Sequence, residues 1–117
     1  MVEFALVAPL LLLILFAVLQ FGAVYNDYVT LTDATRVGAR KAAVSRHEAN
    51  PEGAAEDAAR NSAEGLDAAK LDITVDATGW EHGETVTVEA KYPYTINLLG
   101  IVVSSGDLTS ETTERVE

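Results

Sequence analysis

Cysteine is absent from the 117-residue chain, and basic residues are scarce, with eight Lys and Arg against 18 Asp and Glu. Without cysteine there is no disulfide framework and no thiolate metal site, so packing alone must hold the fold. The net charge of −10 argues against nucleic-acid binding, because phosphate contacts need clustered Lys and Arg. It equally disfavours docking to anionic lipid head groups. The length allows one domain.

Residues that support catalysis or cofactor binding are also few. The two histidines, His47 and His82, are isolated, and neither a glycine-rich phosphate loop nor a GxSxG elbow occurs. Asp76, Glu81 and His82, with Glu84 nearby in sequence, could ligate a hard cation such as Ca²⁺, but they lack EF-hand spacing. Solvated turn acids explain them better. The sequence therefore predicts no enzyme, no cofactor and no metal site, with a metal-dependent or hydrolytic ectodomain around these three residues as an alternative.

Charge is distributed unevenly along the chain. From Phe4 to Asn26 there are 23 residues without a charge. Residues 1–47 carry 3 acids and 4 bases, whereas residues 48–117 carry 15 acids and 4 bases. We expect two parts. Residues 1–47 form a long helix, apolar over 4–26 and amphipathic over 27–47, and residues 48–117 form an acidic head.

The apolar segment, residues 4–26, has the length of a membrane span. As a helix, its 22 residues from Phe4 to Tyr25 measure about 32 Å, close to the bilayer's hydrocarbon thickness of about 30 Å. Because it is apolar around its whole circumference, it must be buried in lipid or among other helices. A secretory signal peptide fits poorly, since no Lys or Arg precedes Arg36. A membrane anchor and a helix that later packs against copies of itself both fit, and composition does not separate them.

The helical pattern continues beyond Tyr25. Spacings of three and four from Tyr25 to Ala39 are typical of an amphipathic helix. The small residues Gly38, Ala39, Ala42 and Ala43 would allow a neighbouring element to approach closely. We predict one helix from near the start of the chain to about Arg46.

The acidic head has the pattern of a short helix followed by strands. Asn50 and Pro51 indicate a helix start, and the alanine-rich stretch after them should lie on the surface. The runs LDITVDA and TVTVEAKY alternate with period two and predict an antiparallel hairpin. The Thr-rich end, DLTSETTERV, favours a third strand. A small sheet packed on the amphipathic half of the long helix gives an α+β fold.

The segment between the second and third predicted strands is less regular. Pro93 argues against a central-strand position. We expect INLLGIVV, residues 96–103, to form an apolar loop or a short helix.

The opening MVEFALVAPLLLLILFAVLQFG resembles the TadE-like family of pilin-like proteins from tight-adherence pilus systems. The match continues through TDATRVGARKAAV, a small-residue segment similar to that family's A-x-R-x-G-A-R-x-A-A, and through VTVEAKYPY and the Thr-rich end. Residues 48–84 carry no sequence motif that is distinctive of this family.

The resemblance implies a type IV pilin-like fold and a structural role. Such proteins are matured by a prepilin peptidase and then reside in the cytoplasmic membrane. From there they join a filament or pilus-like complex through their N-terminal helices. The expected partners are further copies of the chain and other pilus-system subunits, and the expected final location is the cell surface. In pilins a glutamate near the mature N-terminus pairs with the neighbouring subunit's N-terminal amine, and Glu3 matches it by its place in V-E-F. The expected assembly residues are Met1, Glu3, Phe4, Pro9, Leu10, Leu11, Leu12, Leu13, Ile14, Leu15, Phe16, Leu19 and Phe21.

Glu3 also has a simpler interpretation, as a carboxylate at the membrane surface that favours the positive end of the helix dipole. Orientation is a second open point, because Arg36, Arg40 and Lys41 follow the apolar segment and would leave the head in the cytoplasm by the positive-inside rule. A basic leader removed on maturation would reverse that bias, and we expect one in the gene. The alternatives to a filament subunit are a minor pseudopilin of an assembly or secretion complex and a membrane-anchored exported binding domain.

Overall fold

A computed structural model describes residues 1–98 and 100–117 and confirms the α+β fold. In chain order the elements are α1 (Val2–Ala43), α2 (Pro51–Ser62), β1 (Asp72–Ala77), β2 (Thr85–Leu98) and β3 (Ile101–Arg115). The molecule is elongated, with extents of 71 × 23 × 19 Å. The long axis reflects α1, whose 42 residues measure about 63 Å as a helix.

Helix α1 is continuous through Pro9 and ends at Ala43 rather than near Arg46. The helix ends there because its last carbonyls accept hydrogen bonds from amides that do not belong to the helix. The Ser45 amide donates to the Ala42 carbonyl at 3.2 Å, and the Glu117 amide donates to the Ala43 carbonyl at 3.0 Å. The C-terminus of the chain therefore satisfies backbone groups that a helix end leaves unpaired.

Helix α2 begins as the sequence predicts. Asn50 is the N-cap, its side-chain oxygen accepts from the Gly53 amide at 3.1 Å, and Pro51 occupies the first turn. The expected surface position of α2 holds for only part of it, because Ala55 and Ala59 on one face of the helix are fully buried. Alanine is suited to this position, since a larger side chain would hold α2 away from α1.

The three strands form an antiparallel meander in the order β1-β2-β3. Ile73 lies opposite Ala90, and Val75 opposite Val88, which confirms the predicted hairpin. The predicted third strand is confirmed as well, and β3 is longer than the Thr-rich end alone.

The expectation of an apolar loop or a short helix over residues 96–103 was wrong. Strand β2 runs through Pro93 to Leu98, and β3 resumes at Ile101, with Gly100 at φ +83° between them. Leu99 lies outside the described residues. The proline is tolerated because β1 pairs with β2 only as far as Lys91, so that Pro93 is beyond the three-stranded part of the sheet.

The core lies between the C-terminal half of α1 and one face of the sheet. Leu31, Ala34 and Ala39 of α1 pack with Val88 and Ala90 of the central strand, as predicted for an amphipathic helix half. A second cluster, Ala42, Ala55, Val86 and Val116, closes the far end, and Trp80 packs against it. The opposite face of the sheet carries threonines and charges, and the Thr87 and Thr113 hydroxyls pair there at 2.9 Å.

Candidate interface: the apolar segment and the ribbon beside it

The apolar segment is exposed to its surroundings along its length. In the most hydrophobic 18-residue window of α1 no residue is buried, and α1 is long and apolar enough to cross a membrane. Leu31 is the first buried residue of α1. The helix thus begins to contribute to the head core about eight turns after its start.

The residues predicted for assembly all lie in this exposed part. Glu3 is in the first turn of α1 with its side chain exposed, next to Met1 and Phe4. Their large apolar neighbours are exposed by about half or more in most cases: Leu10, Leu11, Leu12, Ile14, Leu15, Phe16, Leu19 and Phe21, with Leu13 less so at 37%. Because such an apolar surface is unfavourable in water, it requires lipid or protein around it.

Pro9 shapes a small depression on this surface. Together with Leu12, Leu13 and Phe16 it lines an apolar hollow of about 200 Å³. The proline has no amide hydrogen, so the carbonyl of Ala5 loses its usual helical donor.

The structure adds a second apolar element that sequence reasoning missed. We call it the ribbon: Tyr92–Leu98 of β2 paired with Ile101–Leu108 of β3, beyond the end of β1. Around its tip Ile101, Val102 and Val103 are 69%, 56% and 60% exposed. A detectable signal was available, because the 15 residues from Tyr92 to Gly106 contain no charge.

The ribbon lies alongside the apolar segment. A cavity of about 490 Å³ separates them, lined by Ala17, Phe21 and Val24 of α1 and chiefly by apolar side chains of the ribbon, such as Tyr94, Ile96, Leu98 and Val103. Ile96 is 8% exposed. Ala17, Gln20, Val24 and Asp27 are partly buried, and their spacing of three and four marks the face of α1 that the ribbon covers.

A cluster of hydroxyls fixes α1 to β3 above the ribbon. The fully buried Thr35 hydroxyl donates to the Thr32 carbonyl at 2.7 Å and is 2.8 Å from the Thr112 hydroxyl. The Ser110 hydroxyl donates to the Thr32 hydroxyl at 3.1 Å. Every buried side-chain polar atom of the described residues has a partner, so this cluster orients the helix against the sheet without leaving a group unsatisfied.

The alternative site in the β1–β2 turn is not supported by the described residues. Among residues 1–98 and 100–117, no group of three or more His, Asp or Glu side chains is placed to hold a metal ion. Asp76, Glu81 and His82 therefore form no cluster there.

The head remains acidic around this framework. Among the described residues there are four ion pairs, and three of them include an acid of the head. Lys41 and Glu48 approach to 2.8 Å, and Arg60 and Glu56 to 3.1 Å. The other two, Arg36 with Asp33 and Lys91 with Glu89, are 3.9 and 3.2 Å long. All four are at least one third exposed, so each contributes little to stability.

Comparison with known protein families finds the same similarity as the sequence motifs. The family model described as "TadE-like protein" matches residues 1–40, which span the exposed part of α1 and most of its packed half. No curated protein and no solved structure matches the chain. The match and the N-terminal apolar helix fit a subunit associated with a Tad pilus, and this family is in general structural and non-enzymatic.

Proposed function

We propose that this protein is a non-catalytic, pilin-like subunit that polymerises through its N-terminal helix into an extracellular filament of the tight-adherence, type IV class. The observation that carries the proposal is an exposed helix of bilayer length, apolar on every side and starting with one carboxylate, in the region that the TadE-like model matches.

The apolar segment would have two successive environments. Before assembly it crosses the cytoplasmic membrane, where a prepilin peptidase matures the chain. In the filament, helices of other copies and of other pilus-system subunits replace the lipid. Burying each large apolar side chain is worth about 1.5–3 kcal/mol relative to water, so the helix cannot remain bare at the cell surface.

Glu3 would determine how one copy aligns with the next. A carboxylate in an apolar bundle is costly unless it is paired, and the N-terminal ammonium of a neighbouring copy is a suitable partner. Such a contact joins two different surfaces. Repeated without closure, it generates an open helical filament.

The test compares Glu3→Ala with Asp33→Ala, a matched acid on the same helix that lies in the packed half and is exposed. We expect Glu3→Ala to fractionate with the cytoplasmic membrane at the wild-type level but to give no filaments in sheared surface material by electron microscopy. Asp33→Ala should assemble. Normal filaments from Glu3→Ala would contradict the pairing, and absence of the wild-type chain from any filament would contradict the function.

A minor subunit of the same apparatus is a second candidate, and the ribbon favours it. The ribbon covers one side of α1 from Ala17 to Val24, a side that a tightly packed helical core would use for neighbours. Immunogold labelling of the head separates the two: label along the filament indicates the main subunit, and label at one end indicates a minor one.

A further inference from the structure

The ribbon is positioned at membrane depth by the length of helix that precedes it. Ala17 is the first residue of α1 in the cavity shared with the ribbon. Val2–Phe16, the 15 residues of α1 before it, extend about 22 Å, whereas the hydrocarbon core is about 30 Å thick. A span that starts next to Glu3 therefore needs about 20 residues and extends to about Ala23.

The tip of the ribbon consequently cannot stay above a membrane that α1 crosses. From Ala17 to Ala23 the helix rises about 9 Å, and the cavity places Leu98 and Val103 beside this stretch. Tilting the helix would require more residues to span and would draw the tip deeper.

The composition of the ribbon suits that depth. Its exposed tip is formed by Ile101, Val102 and Val103, in a head that otherwise carries 15 acids. Tyr94 lies further up the ribbon, and aromatic side chains of this kind are typical of the membrane–water boundary.

Charges reappear on both strands at nearly the same level. Asp107 lies opposite Pro93, and Lys91 lies opposite Thr109. The uncharged region thus ends at nearly the same level on both strands of the ribbon, as a flat membrane surface would require. Free backbone groups on the strand edges limit the depth, because hydrocarbon offers them no partner.

From this we infer that the tip of the ribbon inserts into the leaflet on the head's side of the membrane, where its occupant is the lipid acyl chains. The inference rests on the membrane stage of the proposed function. With α1 it gives the head a second point of contact with the bilayer, so that the sheet is held at a fixed orientation before assembly.

Because the chain has no cysteine, single cysteines report this directly. The full chain is placed in phosphatidylcholine nanodiscs at one copy per disc. An environment-sensitive fluorophore is attached at Val102→Cys, at Leu13→Cys in the apolar segment, or at Glu114→Cys, an exposed position at the other end of β3. Quenching by spin-labelled lipid is compared with quenching by aqueous iodide, and Trp80 fluorescence checks folding.

We expect lipid quenching at Val102 and Leu13 and iodide quenching at Glu114. Iodide quenching at Val102 while Leu13 is quenched by lipid would overturn the ribbon's insertion and leave the membrane stage intact. Iodide quenching at Leu13 would overturn both. Protection of Val102 from both quenchers, appearing only with two or more copies per disc, would show that a second copy covers the tip instead.

A charge at the tip gives a second, independent measurement. The variant Val102→Asp, combined with the cysteine at Val103, should abolish the lipid quenching of that probe, while Val102→Ala with the same probe should retain it. Retained lipid quenching in the aspartate variant, with Trp80 unchanged, would count against an acyl-chain occupant.

Discussion

At the scale of single residues, Gly38 is a position where α1 and α2 pack closely. A Cβ built there would lie 2.9 Å from the Ala59 Cβ and 3.2 Å from the Ala55 carbonyl oxygen. The contact involves backbone and two buried alanines, so neither side has a flexible group that can move away. Small residues on both helices are therefore a requirement of the packing.

We predict that Gly38→Val destabilises the head by about 1–3 kcal/mol, the usual cost of overpacking. The measurement is urea unfolding of the full chain in detergent micelles, followed by the fluorescence of Trp80, the one tryptophan. Gly22→Val is the matched control, because a Cβ at Gly22 meets nothing within 4 Å. Equal unfolding midpoints for the two variants would contradict the close packing.

A second prediction at this scale concerns the hydroxyl pair of Thr35 and Thr112, 2.8 Å apart. Thr35→Val keeps the shape but leaves a partly buried hydroxyl without its partner, and should cost about 1–2 kcal/mol. The double variant Thr35→Val, Thr112→Val should cost less than the sum of the single changes, because no group is then left unpaired. Strict additivity in the same urea experiment would mean that the two hydroxyls do not interact.

At the scale of elements, α2 depends on its N-cap more than most helices. It has 12 residues, and its only buried side chains are those of Ala55 and Ala59, so the burial of apolar area contributes little to its stability. Asn50→Ala removes the acceptor for the Gly53 amide and should cost about 1 kcal/mol. Asn50→Asp should retain most of the stability, as judged by the same Trp80 midpoint. Loss of stability in both variants would indicate that the amide group of Asn50 has another role.

The elements also show what the sequence can predict. Periodicity and capping residues located α1, α2 and the first hairpin, because each pattern is local. The extension of β2 through Pro93 was not predictable in this way, since it depends on where β1 begins. Nothing within residues 92–98 specifies that β1 begins opposite Lys91.

The candidate interface likewise has one part that could be predicted from the sequence and one part that could not. The exposed residues proposed for assembly, from Met1 to Phe21, were predicted from the apolar run that begins at Phe4 and from Glu3 just before it. The ribbon's contact with Ala17, Phe21 and Val24 joins residues about 80 positions apart in the sequence. Only the fold brings them together, and the lack of charge from Tyr92 to Gly106 becomes informative once the strands are known to lie along α1.

At the scale of the whole molecule, shape and charge favour opposite behaviours during assembly. In the proposed filament the exposed apolar helix would drive copies together. Each head, however, brings 15 acids and 4 bases on a body about 20 Å across, with extents of 23 × 19 Å normal to its long axis. Neighbouring heads on a filament would therefore lie close enough for their charges to repel at low salt, where the Debye length is about 30 Å at 0.01 M.

We predict that assembly from detergent-solubilised chain rises when NaCl increases from about 10 to about 150 mM, because the Debye length falls to about 8 Å. The free energy gained by burying the apolar helices changes little over this range of salt concentration. The proposed ion pair of Glu3, enclosed among helices, is also screened by salt much less than exposed charges are. Sedimentation of polymers measures the effect. The variant Glu111→Gln, Glu114→Gln removes two exposed acids from β3 and should assemble at lower salt than the wild type. Assembly that instead weakens as salt rises would mean that exposed ion pairs between heads, and not the apolar helix, hold the copies together.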